Sequence, residues 1–219
     1  MKDLSEAKQE LVKSLVKNKK FHQLEFEVNS LLLEKRSPFL LNLLGVSKIS
    51  KVPTSKKDLN ESLDLFKEAY LKDRTLIDAL FNYAEISIRL LKYDEAKDLL
   101  IEYLSKKKYD YKATLALARI HFYLGNMDDC LLNYKKIIDN NEANSKLWSA
   151  FLFTTNYTYK YNQKDYLNFC HQYSEKLEKF DKKILKKFQY EINPKKIRLG
   201  FFSADLRTHS VAKFIEETL

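Results

Sequence analysis

"LFNYAEISIRLLKYDEAKDLLIEYL" (residues 80–104) and "TLALARIHFYLGNMDDCLLNYKKII" (residues 114–138) are the same pattern written twice. One fixed offset carries Ala84 onto Ala118, Ile86 onto Ile120, Tyr93 onto Met127, Ala96 onto Cys130 and Leu100 onto Tyr134. The acidic pair Asp94-Glu95 falls on Asp128-Asp129. The register runs backwards through Ser62 and Phe66, and forwards from Thr114 to Trp148 and from Ala118 to Leu152. Each copy holds two runs of apolar residues spaced three or four apart, separated by a short turn, "LLKYDEA" or "LGNMDDC". That spacing predicts two antiparallel helices, with small residues where they cross closely. One helix pair cannot bury its own apolar face, so neighbouring pairs must stack into a solenoid.

The repeat resembles the tetratricopeptide repeat in its period and in its large/small signature. That signature stands at Leu44-Gly45 in "LLNLLGVS" and around Asp94-Glu95-Ala96 in "YDEAKDLL". The match spans residues 38–152. Gly45 and Ala84 lie five positions further apart than the common offset allows, which places an insertion at "KVPTS". Pro53 cannot sit inside a helix, so the insertion widens the turn of that first repeat. Upstream, Phe21, Leu24, Val28, Leu31 and Leu32 read as the inward face of a cap. Downstream, Tyr166, Phe169, Cys170, Tyr173, Leu177 and Phe180 form one helical stripe, read as a terminal helix closing the solenoid. The domain reading is a repeat solenoid over residues 1–180, a charged linker over 181–196, and a further unit from 197 to 219.

Composition agrees with helices and narrows the function classes. Three Gly and three Pro in 219 residues leave little material for hairpins. With 45% hydrophobic and 13% aromatic residues the chain has enough apolar surface to fold. The first twenty residues are charged throughout, without a signal-peptide or membrane-spanning run. Cys130 and Cys170 are far apart in the chain and form no CxxC, which argues against a disulfide framework or zinc site and for a cytoplasmic setting. The net charge of +9 raises the question of a nucleic-acid partner. Against it, only six of the 39 basic residues are Arg, the side chain that bonds phosphates and bases in pairs, and the lysines are scattered. A solvated lysine-rich surface is the better reading.

Most residues capable of chemistry reduce to packing. Cys130 takes the small position between paired helices, and Cys170 lies on an apolar stripe. His121 lies inside a repeat helix and His171 beside a core stripe, neither with a second ligand at metal spacing. Trp148 and the 28 Phe and Tyr residues recur at helical spacing and read as core. Asn82 is the candidate substrate-binding residue. It sits on the first helix of its repeat, where tetratricopeptide solenoids expose side chains on the concave surface and an amide can grip an extended peptide. Its equivalents are Ala116 and Ala150, and Asn42 is one place out of register, so the sequence supports an isolated asparagine rather than a ladder.

Residues 197–219 change character. Ile197, Leu199 and Phe201 alternate with Arg198, Gly200 and Phe202 like a strand; "SADLRTH" is polar; Val211, Phe214, Ile215 and Leu219 return to helical spacing after Ser210, a natural N-cap. Strand, loop and helix are the opening of a Rossmann-like α/β unit, and His209 would stand where such units place their ligands, beyond the strand end. No glycine-rich phosphate fingerprint is present, which argues against a nicotinamide or flavin domain.

"KIRLGFFSADLRTHSVAKFIEETL" resembles the start of the catalytic region of the protein O-GlcNAc transferase family, through Ile197, Arg198, Leu199, Gly200, Phe201, Ser203, Asp205, Leu206, His209 and Val211. "LWSAFLFTTNY" (147–157) resembles the last-repeat segment that precedes that region in bacterial members. The resemblance implies transfer of GlcNAc from UDP-GlcNAc to Ser or Thr of proteins, without a metal or other cofactor, with acceptor peptides held by the solenoid. It places His209 in the active-site cleft, bonding the donor or assisting proton removal from the hydroxyl. The family's Pro after this histidine is Ser210 here, which caps the helix instead of stiffening the loop. The UDP-binding lobe is not within these 219 residues. The expectation is therefore an N-terminal part of a longer glycosyltransferase, inactive alone. The alternative is a non-catalytic tetratricopeptide adaptor that binds a protein partner in its groove. Neither reading involves a membrane.

Overall fold

The computed structural model describes residues 6–180 and the isolated positions 203, 208, 212 and 213. The described residues form ten helices: α1 (Glu6–Lys17), α2 (Phe21–Glu34), α3 (Pro38–Ile49), α4 (Lys56–Lys72), α5 (Ile77–Arg89), α6 (Tyr93–Lys106), α7 (Tyr111–Tyr123), α8 (Met127–Asp139), α9 (Ser145–Thr155) and α10 (Gln163–Phe180). Among them there is no strand. The expected strand, His209 and the expected cap Ser210 lie outside the described residues; Ala212 and Lys213 are helical. The chain divides into two compact units, Met1–Lys176 and Leu177–Leu219, and the helical hairpins belong to the first.

Local chemistry sets the helix ends. Ser37 caps α3 through Leu40 N–H, with Pro38 supplying the preset backbone angle of a first helical residue. Ser55 and Asp58 form a reciprocal capping box on α4. Asp110 and Asn144 accept from the backbone at the starts of α7 and α9. Four helix ends carry the same left-handed stop: Lys19, Leu91, Gly125 and Asn141 all have φ between 55° and 79°. In each, the following N–H reaches back five residues, as from Lys92 to Ser87 O and from Asn126 to His121 O. Leu91 and Gly125 occupy the same repeat position, so one turn is built once with glycine and once without. The expected insertion does widen the α3–α4 turn, and Val52-Pro53 is cis there.

The core follows the solenoid rather than a centre. One cluster joins α1, α2 and α3 through Val12, Leu15, Leu24, Val28, Leu31, Leu40 and Leu44. The central clusters join α3 to α7 through Phe66, Leu80, Ala84, Ala96, Leu100 and Ile120. A fourth closes on Trp148 and Phe151. Each hairpin thus buries its apolar face only against its neighbours, as stacked repeats must. The terminal stripe on α10 is half-buried at Tyr166, Phe169, Cys170 and Tyr173 but exposed at Leu177. Tyr173 stacks on Trp148 at 5.6 Å and Phe169 meets Phe151 edge-on at 5.0 Å. Aromatic contacts carry this closure.

Candidate functional site

The repeat offset assigns every first helix a matching set of positions, and one of these sets is polar and inward: Lys48, Ser87, His121 and Thr155. Across each of the first three hairpins the second helix carries an acid just before its small residue, Glu61, Glu95 or Asp129. Lys48 and His121 face theirs, whereas the buried Ser87 hydroxyl has no hydrogen-bond partner. In α3 and α4 the Lys48 ammonium reaches Glu61 at 2.5 Å. In the next hairpin the Tyr83 hydroxyl donates to Glu95, with Lys92 Nζ at 3.9 Å. In α7 and α8 the counterpart is His121 Nδ1, 3.9 Å from Asp129 Oδ2, beyond hydrogen-bond range. His121 is 8% exposed, and its Nδ1 has no hydrogen-bond partner. Burial holds its pKa below the ordinary histidine range, helped by Lys97 and opposed by Asp129. It is a neutral ring beside a carboxylate whose side chain is 60% exposed.

The first helices also meet one another. Asn82 Nδ2, on α5, donates to Asn42 Oδ1, on α3, at 2.9 Å. Asn82 is therefore half-buried and anchored, not the isolated exposed side chain expected from its register. Packed helices cross at an angle, so the side chains that touch are not those at equal repeat positions.

Five rings form a continuous row along the hairpin-turn edge of α6, α7 and α9. Tyr93 stacks on Tyr123 at 5.2 Å, Tyr123 contacts Phe122 at 6.2 Å, Phe122 contacts Tyr157 at 6.3 Å, and Tyr157 contacts Phe153 at 5.1 Å. Tyr123, Phe153 and Tyr157 are each more than half exposed. Helical spacing assigns these aromatics to the core with Trp148. Trp148 is there, at 2% exposure, but spacing alone cannot tell the outward rings from the inward ones. Beside the row lies a recess of about 720 Å³ between Asn126–Asp129 and Tyr157–Lys160. The hydroxyl of Thr158 donates to Asp128 at 2.6 Å and holds the loop after α9 against the start of α8.

The remaining chemical candidates are structural or lie elsewhere. Cys130 is fully buried, and burial pushes its thiol up to about 11. His171 is exposed and Cys170 half-buried. Among the described residues no three His, Cys, Asp or Glu side chains converge as a metal site, and no helix is long and apolar enough to cross a membrane.

No family model and no curated protein matches the sequence. Solved structures do match its fold. A crystal structure of MamA protein superposes with a TM-score of 0.67 at 15% identity, covering 84% of this chain and 97% of that one. MamA from residue 41 to its end, from Desulfovibrio magneticus RS-1, gives 0.65 at 12%, covering 80% and 96%. A thermophilic TPR protein in Thermus thermophilus gives 0.51 at 16%, covering 66% and 78%. At such identities the likeness speaks for architecture alone. Residues 6–180 have the tetratricopeptide-repeat type of all-helical fold.

Proposed function

We propose that this chain is a tetratricopeptide solenoid that binds a segment of a protein partner along its first helices and their turn edge. The observation that carries the reading is the row of Tyr93, Tyr123, Phe122, Tyr157 and Phe153. Three of these rings, Tyr123, Phe153 and Tyr157, are more than half exposed, and exposed rings in mutual contact are costly to leave in water and favourable to cover. The anchored Asn42–Asn82 pair adds a polar grip one hairpin further along, because Asn82 keeps its own oxygen for a peptide N–H. A photo-crosslinking residue at position 123, expressed in the protein's own cells, should yield discrete protein adducts. The same residue at the exposed Leu33 of α2 should not. Equal labelling from both positions would sink the reading.

A second reading keeps the same surface and adds chemistry. The motif of residues 197–211 supports a protein O-GlcNAc transferase-like enzyme in which the repeats deliver the acceptor and His209 acts at the donor sugar, UDP-GlcNAc. The test is UDP release from UDP-GlcNAc by the native protein. Release lost in His209→Ala supports the enzyme; no release leaves the binding solenoid.

A further inference from the structure

We propose that Asp129 and the aromatic row beside it select an extended peptide segment carrying a lysine or arginine next to apolar side chains. The inference rests on the protein-binding reading and specifies the chemistry of its partner.

Three observations converge. The acidic position of the repeat is satisfied inside the protein in two hairpins, Glu61 by the Lys48 ammonium and Glu95 by the Tyr83 hydroxyl. In the third it is not: Asp129 faces a buried imidazole at 3.9 Å and otherwise opens to solvent. A carboxylate without a cation, on a protein of net charge +9, calls for a cation from outside. The second observation is the recess, of a size usual for ligand sites, which Asp129 lines together with Tyr157. Its charged lining is Asp128, Asp129 and Lys160, so the balance is acidic. The third is the row's spacing. Steps of 5.1–6.3 Å between rings approach the ~6.6 Å between alternate side chains of an extended chain. Apolar side chains of the segment cover Phe153 and Tyr123. Its cation lies against the Tyr157 ring face and reaches Asp129, combining an ion pair with a cation–π contact.

The test pans a random peptide library displayed on phage against the full 219-residue chain. Selected peptides are then titrated against wild type, Asp129→Asn, Tyr123→Ala and the control Asp139→Asn. Asn is isosteric with Asp and keeps α8 intact, and circular dichroism checks this for every variant. The expected result is enrichment of peptides with Lys or Arg beside apolar residues. Their affinity should fall about tenfold in Asp129→Asn and in Tyr123→Ala, stay unchanged in Asp139→Asn, and drop with added salt in every chain that keeps Asp129 but not in Asp129→Asn. Enriched peptides without a basic residue, or equal binding by Asp129→Asn, would overturn the selectivity while leaving the binding solenoid standing. If wild type enriches no saturable peptide, both readings fail together.

Discussion

Gly45 on α3 faces the ring of Phe66 on α4 so closely that a Cβ at position 45 would lie 2.5 Å from Phe66 Cε1. Phe66 is fully buried, and the Ser62 hydroxyl donates to Gly45 O at 3.2 Å, so the two helices have no room to part. Gly45→Ala gains up to about 1 kcal/mol of helix propensity but overpacks the crossing by more, for a net loss of about 1–2 kcal/mol. The next hairpin solves the same crossing with Ala84 and Leu100. Adding Phe66→Leu to Gly45→Ala should therefore recover part of the loss. Denaturant titration of the two single variants and the pair measures that coupling; additive effects would remove the packing explanation.

Leu91 holds φ at 61° where the next repeat has Gly125 at 79°. Its side chain is 70% exposed, so replacing it forfeits little burial. Leu91→Gly removes a left-handed strain of about 1–2 kcal/mol and adds unfolded-chain entropy, for a net gain of roughly 0.5–1 kcal/mol. The readout is a melting temperature a few degrees higher.

The two thiols should separate sharply under alkylation. Cys130 has no exposed surface, and burial holds its thiol near 11. Cys170 is half-buried on α10. Mass spectrometry of native protein treated with iodoacetamide at about pH 7.5 should find the label on Cys170, with Cys130 modified only after unfolding. Rapid native labelling of Cys130 would mean that α8 opens far more readily than its packing implies.

His121 makes stability pH-dependent in a definite direction. Its folded pKa is lowered by burial, so between the folded and unfolded values the unfolded chain binds the extra proton. The protein should lose stability as pH falls through about 6.5, the ordinary histidine value, and keep its full stability above it. The facing charged groups are Asp129, which opposes the shift, and Lys97, which adds to it. Unfolding free energies from about pH 8 to about pH 5.5 should show a slope that flattens in His121→Gln; an unchanged slope would assign it to other groups.

Much of the fold is legible in the sequence because helix formation is periodic and local. The repeat offset locates the hairpins, Gly45 and Cys130 as crossing positions, and the widened turn at Pro53. The cap at α1–α3 follows from its apolar spacing, and Leu24, Val28 and Leu31 are buried there. The site is less legible. Asn82 stands out as a residue but not as half of a pair, since its partner Asn42 is 40 residues away and off the repeat register. The aromatic row reads as core because a Phe or Tyr has the same spacing whether its helix face turns inward or outward at a hairpin edge.

The sequence by itself determined which residues become helices, where each hairpin turns, and that an acid recurs before each small residue, because all three follow from apolar period and backbone chemistry within one repeat. Only the tertiary structure decided that Lys48 and Tyr83 occupy two of those acids while Asp129 keeps a neutral neighbour, and that five rings from three hairpins touch. These depend on how far each hairpin is rotated against the next. That rotation is set by side-chain volumes packed between repeats, and no stretch of sequence taken alone contains it.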